Sequence, residues 1–122
     1  MTAKKPTLVL GASENTERYS YMAVQRLRAG GHPVIAVGRS AGNIGDVPIV
    51  TSMPTDKQID TITLYLQPAH QLHFYNEMLA LNPKRIIFNP GTENPELSQL
   101  AAAQGIATLE ACTLVMLAAA QY

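Results

Sequence analysis

Apolar residues in this chain come in short blocks, each closed by glycine, proline or a polar loop. Thr7–Leu10 is almost wholly apolar and ends at Gly11. Such a block reads as a strand buried on both faces, as a parallel sheet requires. The period then changes. Ser20, Ala23, Val24 and Leu27 recur at helical spacing, with Gln25, Arg26 and Arg28 on the other face. Gly30-Gly31 supplies a helix stop, and the two arginines lie in the last turn, where the helix dipole favours cations. Val34–Val37 is a second apolar block and ends at Gly38. The unit is strand, loop, helix, strand, and its crossover is expected to be right-handed.

The alternation continues less cleanly. "DVPIV" predicts a short third strand, and Pro48 within it suggests a sheet edge. Thr55 and Gln58 stand in capping-box spacing and predict one helical turn. "TITLYL" is a strand, followed by Pro68 at a first helical position and by Leu72, Tyr75 and Leu79 on one helix face. "RIIFN" is a further strand. Asn94, Pro95 and Glu96 then spell a cap, a first residue and an acid at the positive end of a helix. Leu97, Leu100 and Ala101 are its inward positions, and Gly105 ends it. "IATL" is a last strand and "CTLVMLAAAQ" an alanine-rich helix. The pattern predicts an α/β protein: a Rossmann-like doubly wound parallel sheet of five or six strands, with helices on both faces, in a single domain over residues 1–122.

Composition narrows the function classes. Nine basic residues balance nine acidic ones, which removes the basic excess of a general nucleic-acid binder. One cysteine, Cys112, excludes an intrachain disulfide framework. Lys4 and Lys5 lead into too short an apolar run for a signal peptide. Leu114–Ala120, the longest apolar run, is far below the ~20 residues of a membrane helix. The expectation is a cytoplasmic protein with no membrane and no nucleic-acid partner.

In doubly wound folds ligands bind beyond the carboxyl ends of the strands, where the strand order reverses. That sorts the polar residues by position. Arg26, Arg28, His32, Lys84 and Arg85 fall at the opposite edge and read as solvated caps. "GASENTERYS", "GRSAGN", "QPAH" and "NPGTEN" fall at the binding edge. In the first loop Gly11 allows close approach of backbone to a ligand. Ser13, Asn15 and Thr16 offer hydrogen bonds, Ser20 lies at the helix start, and Arg18 would strengthen an anion site there. The alternative is that Asn15 or Thr16 merely caps the helix and Arg18 is solvated. At the end of the second strand a nicotinamide-dinucleotide site usually has an acid for the ribose hydroxyls. Gly38, Arg39 and Ser40 stand there instead. They suit a phosphate on the ribose: the 2′-phosphate of NADP or the 3′-phosphate of coenzyme A.

These residues resemble a known family, the small stand-alone coenzyme A-binding domain proteins related to the N-terminal domain of the succinyl-CoA synthetase alpha subunit. The resemblance runs from Leu8 to about Leu117 through "VLGASENTERYSY", "VIAVGRSAGNIGDVPIVTSM", "LYLQP", "IIFNPGTENPEL" and "EACTLV". It implies that Ser13, Asn15, Thr16, Arg18 and Ser20 hold the coenzyme A phosphates. It implies that Arg39 and Ser40 approach the adenosine end. "LYLQP" brings in Gln67, and the Asn89–Gly91 segment, through Asn89 and Gly91, would close over the pantetheine side. The chain departs from the family at Gly38-Arg39-Ser40, where Asn-Pro and a lysine are usual, at Tyr19, where proline is usual, and at Pro90, where the related synthetase loop has glutamate.

No catalytic set emerges. Tyr19, Tyr21 and Tyr65 lack the lysine four residues on that a short-chain dehydrogenase needs. His70 and His73 share a helix without a carboxylate or cysteine placed beside them, so no metal site is expected. Cys112 reads as a buried free cysteine. Three expectations follow from the residues and the resemblance together: a non-catalytic binding module for coenzyme A or an acyl-CoA, an NADP-binding oxidoreductase-like protein, or a scaffold that kept the fold and lost the ligand. The first leads.

Overall fold

The computed structural model describes residues 3–122. Its sheet has seven strands: β1 (Thr7–Leu10), β2 (Val34–Val37), β3 (Gly42–Ile44), β4 (Val47–Val50), β5 (Thr61–Leu64), β6 (Arg85–Phe88) and β7 (Ala107–Glu110). They lie in the order β3-β4-β2-β1-β5-β6-β7. Every pair is parallel except β3 with β4. The helices are α1 (Tyr19–Ala29), α2 (Pro68–Gln71), α3 (Tyr75–Leu81), α4 (Pro95–Ala103) and α5 (Thr113–Ala118). The protein is thus a single-domain, Rossmann-like α/β fold.

The period of two along each strand sorts the core into two layers. Leu8, Leu10, Val37, Ile62, Leu64, Ile86 and Phe88 point to one face, where Met78 of α3 and Leu97 and Ala101 of α4 cover them. Val9, Ala36 and Ile87 point to the other, under Val24 and Leu27 of α1 and beside Met116 and Leu117 of α5. β1 is buried on both faces, as its apolar run requires. β5 differs. Its second face carries Thr61 and Thr63, buried and hydrogen-bonded rather than apolar.

The sheet has one strand more than the five or six expected. "GRSAGN" reads as loop, yet Gly42–Ile44 turns at Gly45-Asp46 and pairs back on β4. β4 is therefore not an edge, and Pro48 lies opposite Asn43. The Asn43 N–H points away, to Glu14 at 2.9 Å, so no ladder bond is asked of Pro48 from that side. Thr55–Gln58 forms no helix. The helix expected after Pro68 is broken into α2, a 3₁₀ turn at Leu72–Phe74, and α3, leaving Leu72 58% exposed. Leu100 also faces outward, at 42% exposure. His32 and Arg85 are not solvated caps. His32 is buried, and Arg85 is half-buried against Tyr122.

Candidate functional site

β1 has β2 on one side and β5 on the other, so the chain leaves it in opposite directions at their carboxyl ends. A cleft of about 660 Å³ opens there. Its near bank is the loop after β1 with the start of α1, and the loop after β2. Its far bank is Tyr65–Gln67 and His70, with Pro90 and Thr92. A smaller pocket of about 280 Å³ adjoins it around Gly38, Thr51 and Phe74 and shares Gly11, Arg39, Leu66 and His70 with it. These sizes suit a small-molecule ligand.

The first loop is a chain of local hydrogen bonds. Gly11 and Ala12 both donate to the Val37 carbonyl at 2.9 Å, tying the loop to the end of β2. Gly11 has φ of +100°, and a Cβ there would meet the Tyr65 backbone at 3.0 Å. Only glycine fits that corner without strain. The Ser13 Oγ accepts from the Asn15 N–H at 3.1 Å, and the Asn15 Oδ1 accepts from the Glu17 N–H at 3.0 Å. Asn15 thus shapes the turn, but it does not cap α1. The N-cap residue is Arg18, no side chain caps the helix, and its first turn holds no acid. At α4, by contrast, Asn94 Oδ1 accepts from the Leu97 N–H at 3.2 Å and Glu96 lies in the first turn. The start of α1 therefore presents uncapped N–H groups and the positive end of its dipole to the cleft.

The far bank is held by a buried amide relay. Gln71 is fully buried and its Nε2 donates to the carbonyls of Leu66 and Thr92, each at 2.8 Å. Asn94 Nδ2 donates in turn to Gln71 Oε1 at 2.9 Å and to the Tyr75 hydroxyl at 2.7 Å. One glutamine so fixes the loop after β5 against the loop after β6. Tyr65 packs beneath the cleft with its hydroxyl buried and without a hydrogen-bond partner. Burial pushes that hydroxyl up to about 12.

Of the residues singled out in the sequence, Gly11, Ser13, Asn15, Arg18, Ser20, Arg39, Ser40 and Gln67 all border the large cleft. Gly38 borders the adjoining pocket. Thr16, Asn89 and Gly91 border neither. Thr16 is exposed on the outside of the turn. Asn89 is consumed by the fold: Nδ2 donates to Thr63 Oγ1 at 2.7 Å and to the Leu64 carbonyl at 2.8 Å, while Oδ1 accepts from the Thr113 N–H at 2.9 Å. Gly91 takes a φ of +91° in the turn behind Pro90, and its N–H bonds Glu93 at 3.0 Å. Glu14, Tyr19, His70 and Thr92 lie in the segments expected at the binding edge but, like Tyr65, are not among the ligand contacts named from the sequence; all five line the cleft. Tyr19 follows Arg18 directly and is 69% exposed on the rim, a large aromatic ring left in water. Among the described residues no group of three His, Cys, Asp or Glu side chains is placed to hold a metal ion. None of the described helices is long and apolar enough to cross a membrane.

Comparison with known proteins finds the same fold in solved structures. A crystal structure described as that of an uncharacterized protein is 47% identical, with a TM-score of 0.96 over 99% of this chain and 100% of that one. A conserved hypothetical protein from Pyrococcus furiosus is 26% identical, with a TM-score of 0.76 over 93% of this chain and 98% of that one. A Thermus thermophilus protein shares the fold at 22% identity, with a TM-score of 0.85 over 98% and 91% of the two chains. No curated protein matches the chain. The family described as "CoA binding domain" matches residues 5–118, nearly the whole chain, and the protein belongs to that family.

Proposed function

We propose that this protein is a non-catalytic binding module for coenzyme A or an acyl-CoA. The observation that carries the reading is the uncapped start of α1, which opens on the same cleft as Arg18 and Arg39. A pyrophosphate at that helix start would meet free N–H groups, a favourable dipole and the Arg18 guanidinium. Gly11 leaves the strand end open to it. Arg39 and Ser40 would take the 3′-phosphate of the ribose, and the apolar pocket around Leu66 and Phe74 would take the adenine. Gln67, Pro90 and Thr92 on the far bank would flank the pantetheine arm. The donor set fits such a ligand: two arginines, small hydroxyls and backbone N–H groups, with glycine where the phosphates must come close.

The test is a melting assay with coenzyme A, NAD, NADP and ATP side by side, followed by calorimetric titration. A ligand at 100 times its dissociation constant stabilises the fold by about 2.7 kcal/mol. Coenzyme A is expected to stabilise most, and NAD little, since Arg39 stands where NAD sites carry an acid. Equal stabilisation by NADP and coenzyme A, or none by coenzyme A, overturns the reading.

A further inference from the structure

Glu14 is an acid in a cleft that otherwise collects arginines and uncapped N–H groups. Its carboxylate pairs with neither Arg18 nor Arg39; the single ion pair among the described residues joins Arg28 to Asp46. Instead, Glu14 Oε2 accepts from the Asn43 N–H at 2.9 Å, across to the edge strand β3. The packing around that bond is tight. A Cβ built on Gly42 would fall 2.3 Å from Glu14 Cδ and 2.6 Å from Oε1, so glycine is what lets the carboxylate reach the strand. The same holds at the other end of the segment. A Cβ on Gly38 would fall 2.3 Å from the Ala12 carbonyl oxygen. The segment Gly38–Gly42 is therefore pinned to the first loop at both of its glycines. Between the pins lie Arg39, Ser40 and Ala41, which border the cleft.

We infer that Glu14 is a positioning residue for Arg39 and Ser40, and so a determinant of selectivity for a phosphorylated ribose. The inference rests on the coenzyme A reading. It gives a reason for a carboxylate beside a phosphate site. Arg39 and Ser40 sit on an exposed loop before a three-residue edge strand, and holding a flexible side chain in place costs entropy that a fixed loop avoids. The Glu14–Asn43 bond fixes the loop before ligand arrives.

Two effects of removing Glu14 oppose each other, and they are separable. Loss of its negative charge favours any anion in the cleft, so it acts on coenzyme A and on 3′-dephospho-coenzyme A alike. Release of the loop acts only on the ligand that carries the 3′-phosphate. The readout is therefore the ratio of the two affinities, not either one alone. Arg39→Ala is expected to lower that ratio by about tenfold or more, the loss of one charge-assisted hydrogen bond. Glu14→Ala should lower it by up to about the same factor. Gly42→Ala should do likewise, because its methyl group displaces the carboxylate. Glu14→Gln keeps an acceptor for the Asn43 N–H and should keep the ratio.

The experiment titrates both ligands into wild type, Glu14→Ala, Glu14→Gln, Gly42→Ala, Arg39→Ala and the Glu14→Ala/Arg39→Ala double variant. Hydrogen exchange of the Asn43 amide is followed in the free proteins. The expected result is an Asn43 amide that exchanges faster in Glu14→Ala than in wild type or Glu14→Gln. In the double variant the ratio should fall no further than in Arg39→Ala, because both changes act through one loop. An unchanged ratio in Glu14→Ala, with the Arg39→Ala effect present, overturns the inference and leaves the coenzyme A reading standing. No effect of Arg39→Ala on the ratio overturns the Arg39 phosphate contact and the selectivity role but not coenzyme A binding itself; no binding of coenzyme A by wild type overturns the reading and the selectivity role together. Unchanged exchange at Asn43 overturns the pinning of the loop whatever the ligand does.

Discussion

The guanidinium of Arg85 lies 4.4 Å from the centroid of the Tyr122 ring, at the edge of the sheet opposite the cleft. Arg85 Nε also donates to Thr61 Oγ1 at 2.7 Å, so the cation is fixed in two directions. The Tyr122 hydroxyl bonds Thr7 Oγ1 at 2.5 Å, and the His32 ring meets the Tyr122 ring edge-on at 5.0 Å. Lys5 Nζ donates to the Tyr122 backbone oxygen. One aromatic ring thereby closes the floor under β1, β5 and β6.

Tyr122→Ala should cost about 3 kcal/mol of unfolding free energy, the usual scale for truncating a buried aromatic ring. Tyr122→Phe keeps the ring over Arg85 and loses only the hydroxyl bond to Thr7. It should cost about 1 kcal/mol. Urea denaturation of both variants separates the two contributions. Equal losses would mean that the ring itself carries nothing.

His32 gives the floor a pH dependence. Its Nδ1 accepts from the Lys5 N–H at 2.9 Å, which requires a neutral ring. Burial lowers its pKa below the ordinary 6.5, and the charges of Lys4, Lys5 and Arg85 lower it further, against a small opposing pull from Asp60. Between the lowered value and 6.5 the unfolded chain binds more protons than the folded one. Stability from this group is complete above about pH 6.5 and is lost as the pH falls through that window. Midpoints of denaturation at intervals from pH 7 down to pH 5 should show the decline, and His32→Asn should flatten it.

Tyr65 gives the opposite arm. Its hydroxyl is buried without a partner, while the neighbouring threonines, Thr63 and Thr113, bond each other at 2.8 Å. Burial raises its pKa from 10.0 to about 12. Between those values the unfolded chain releases a proton that the folded chain keeps, so stability falls as the pH rises through that window. Tyr65→Phe should remove that segment of the curve. At neutral pH the variant should be neutral or more stable by up to about 1 kcal/mol, because it deletes an unsatisfied hydroxyl. A clear loss at neutral pH would show that the hydroxyl has a partner in solution.

Arg18→Ala should weaken coenzyme A and 3′-dephospho-coenzyme A equally, by about tenfold or more, since the pyrophosphate is common to both. Isothermal titration of the two ligands into the variant checks it. A loss confined to coenzyme A would move Arg18 to the ribose phosphate. Gly11→Val is a poorer probe of the same loop. Its positive φ and the 3.0 Å approach of Tyr65 mean that a side chain strains the fold as well as filling the cleft.

The parts of the fold legible in the sequence are those in which a few neighbouring residues carry the whole signal. β1 is almost wholly apolar and β2 is an apolar tetrad, as strands between two layers of helices must be. α4 is spelled by Asn94, Pro95 and Glu96 at its start. β3 was not legible, because Gly42 and Asn43 have no strand preference and the strand exists only as the partner of β4. The helix after Pro68 is anchored in its first turn by the Gln71 amide and then tightens into 3₁₀, a contact with Thr92 that local spacing does not encode. The same limit applies to the site. Position after a strand end points to Gly11, Ser13, Asn15, Arg18, Ser20, Arg39 and Ser40, which border the cleft, and equally to Thr16, which does not. It gave no sign that Asn89 spends its amide on Thr63, Leu64 and Thr113, nor that Tyr122 covers His32 and Arg85.

Strands β1–β4 are consecutive in the sequence, and so are β5–β7. Within the sheet the earlier and later halves of the chain therefore meet along one line, the β1–β5 ladder from Thr7 with Thr61 to Leu10 with Leu64, backed by α1 against α5. The cleft lies over the upper end of that line, with one bank belonging to each half. A molecule lying across it would act as a strap over a seam. Its binding free energy would add to the cost of parting the halves, while peeling β3 from β4 at the rim would cost what it did before. Amide exchange would then slow most along β1 and β5. The domain would become hardest to open at its middle, where a bound molecule adds to the ladder, the helix pair, the shared core and the Tyr122 contacts with Thr7 and His32 that already join what the chain makes first to what it makes last.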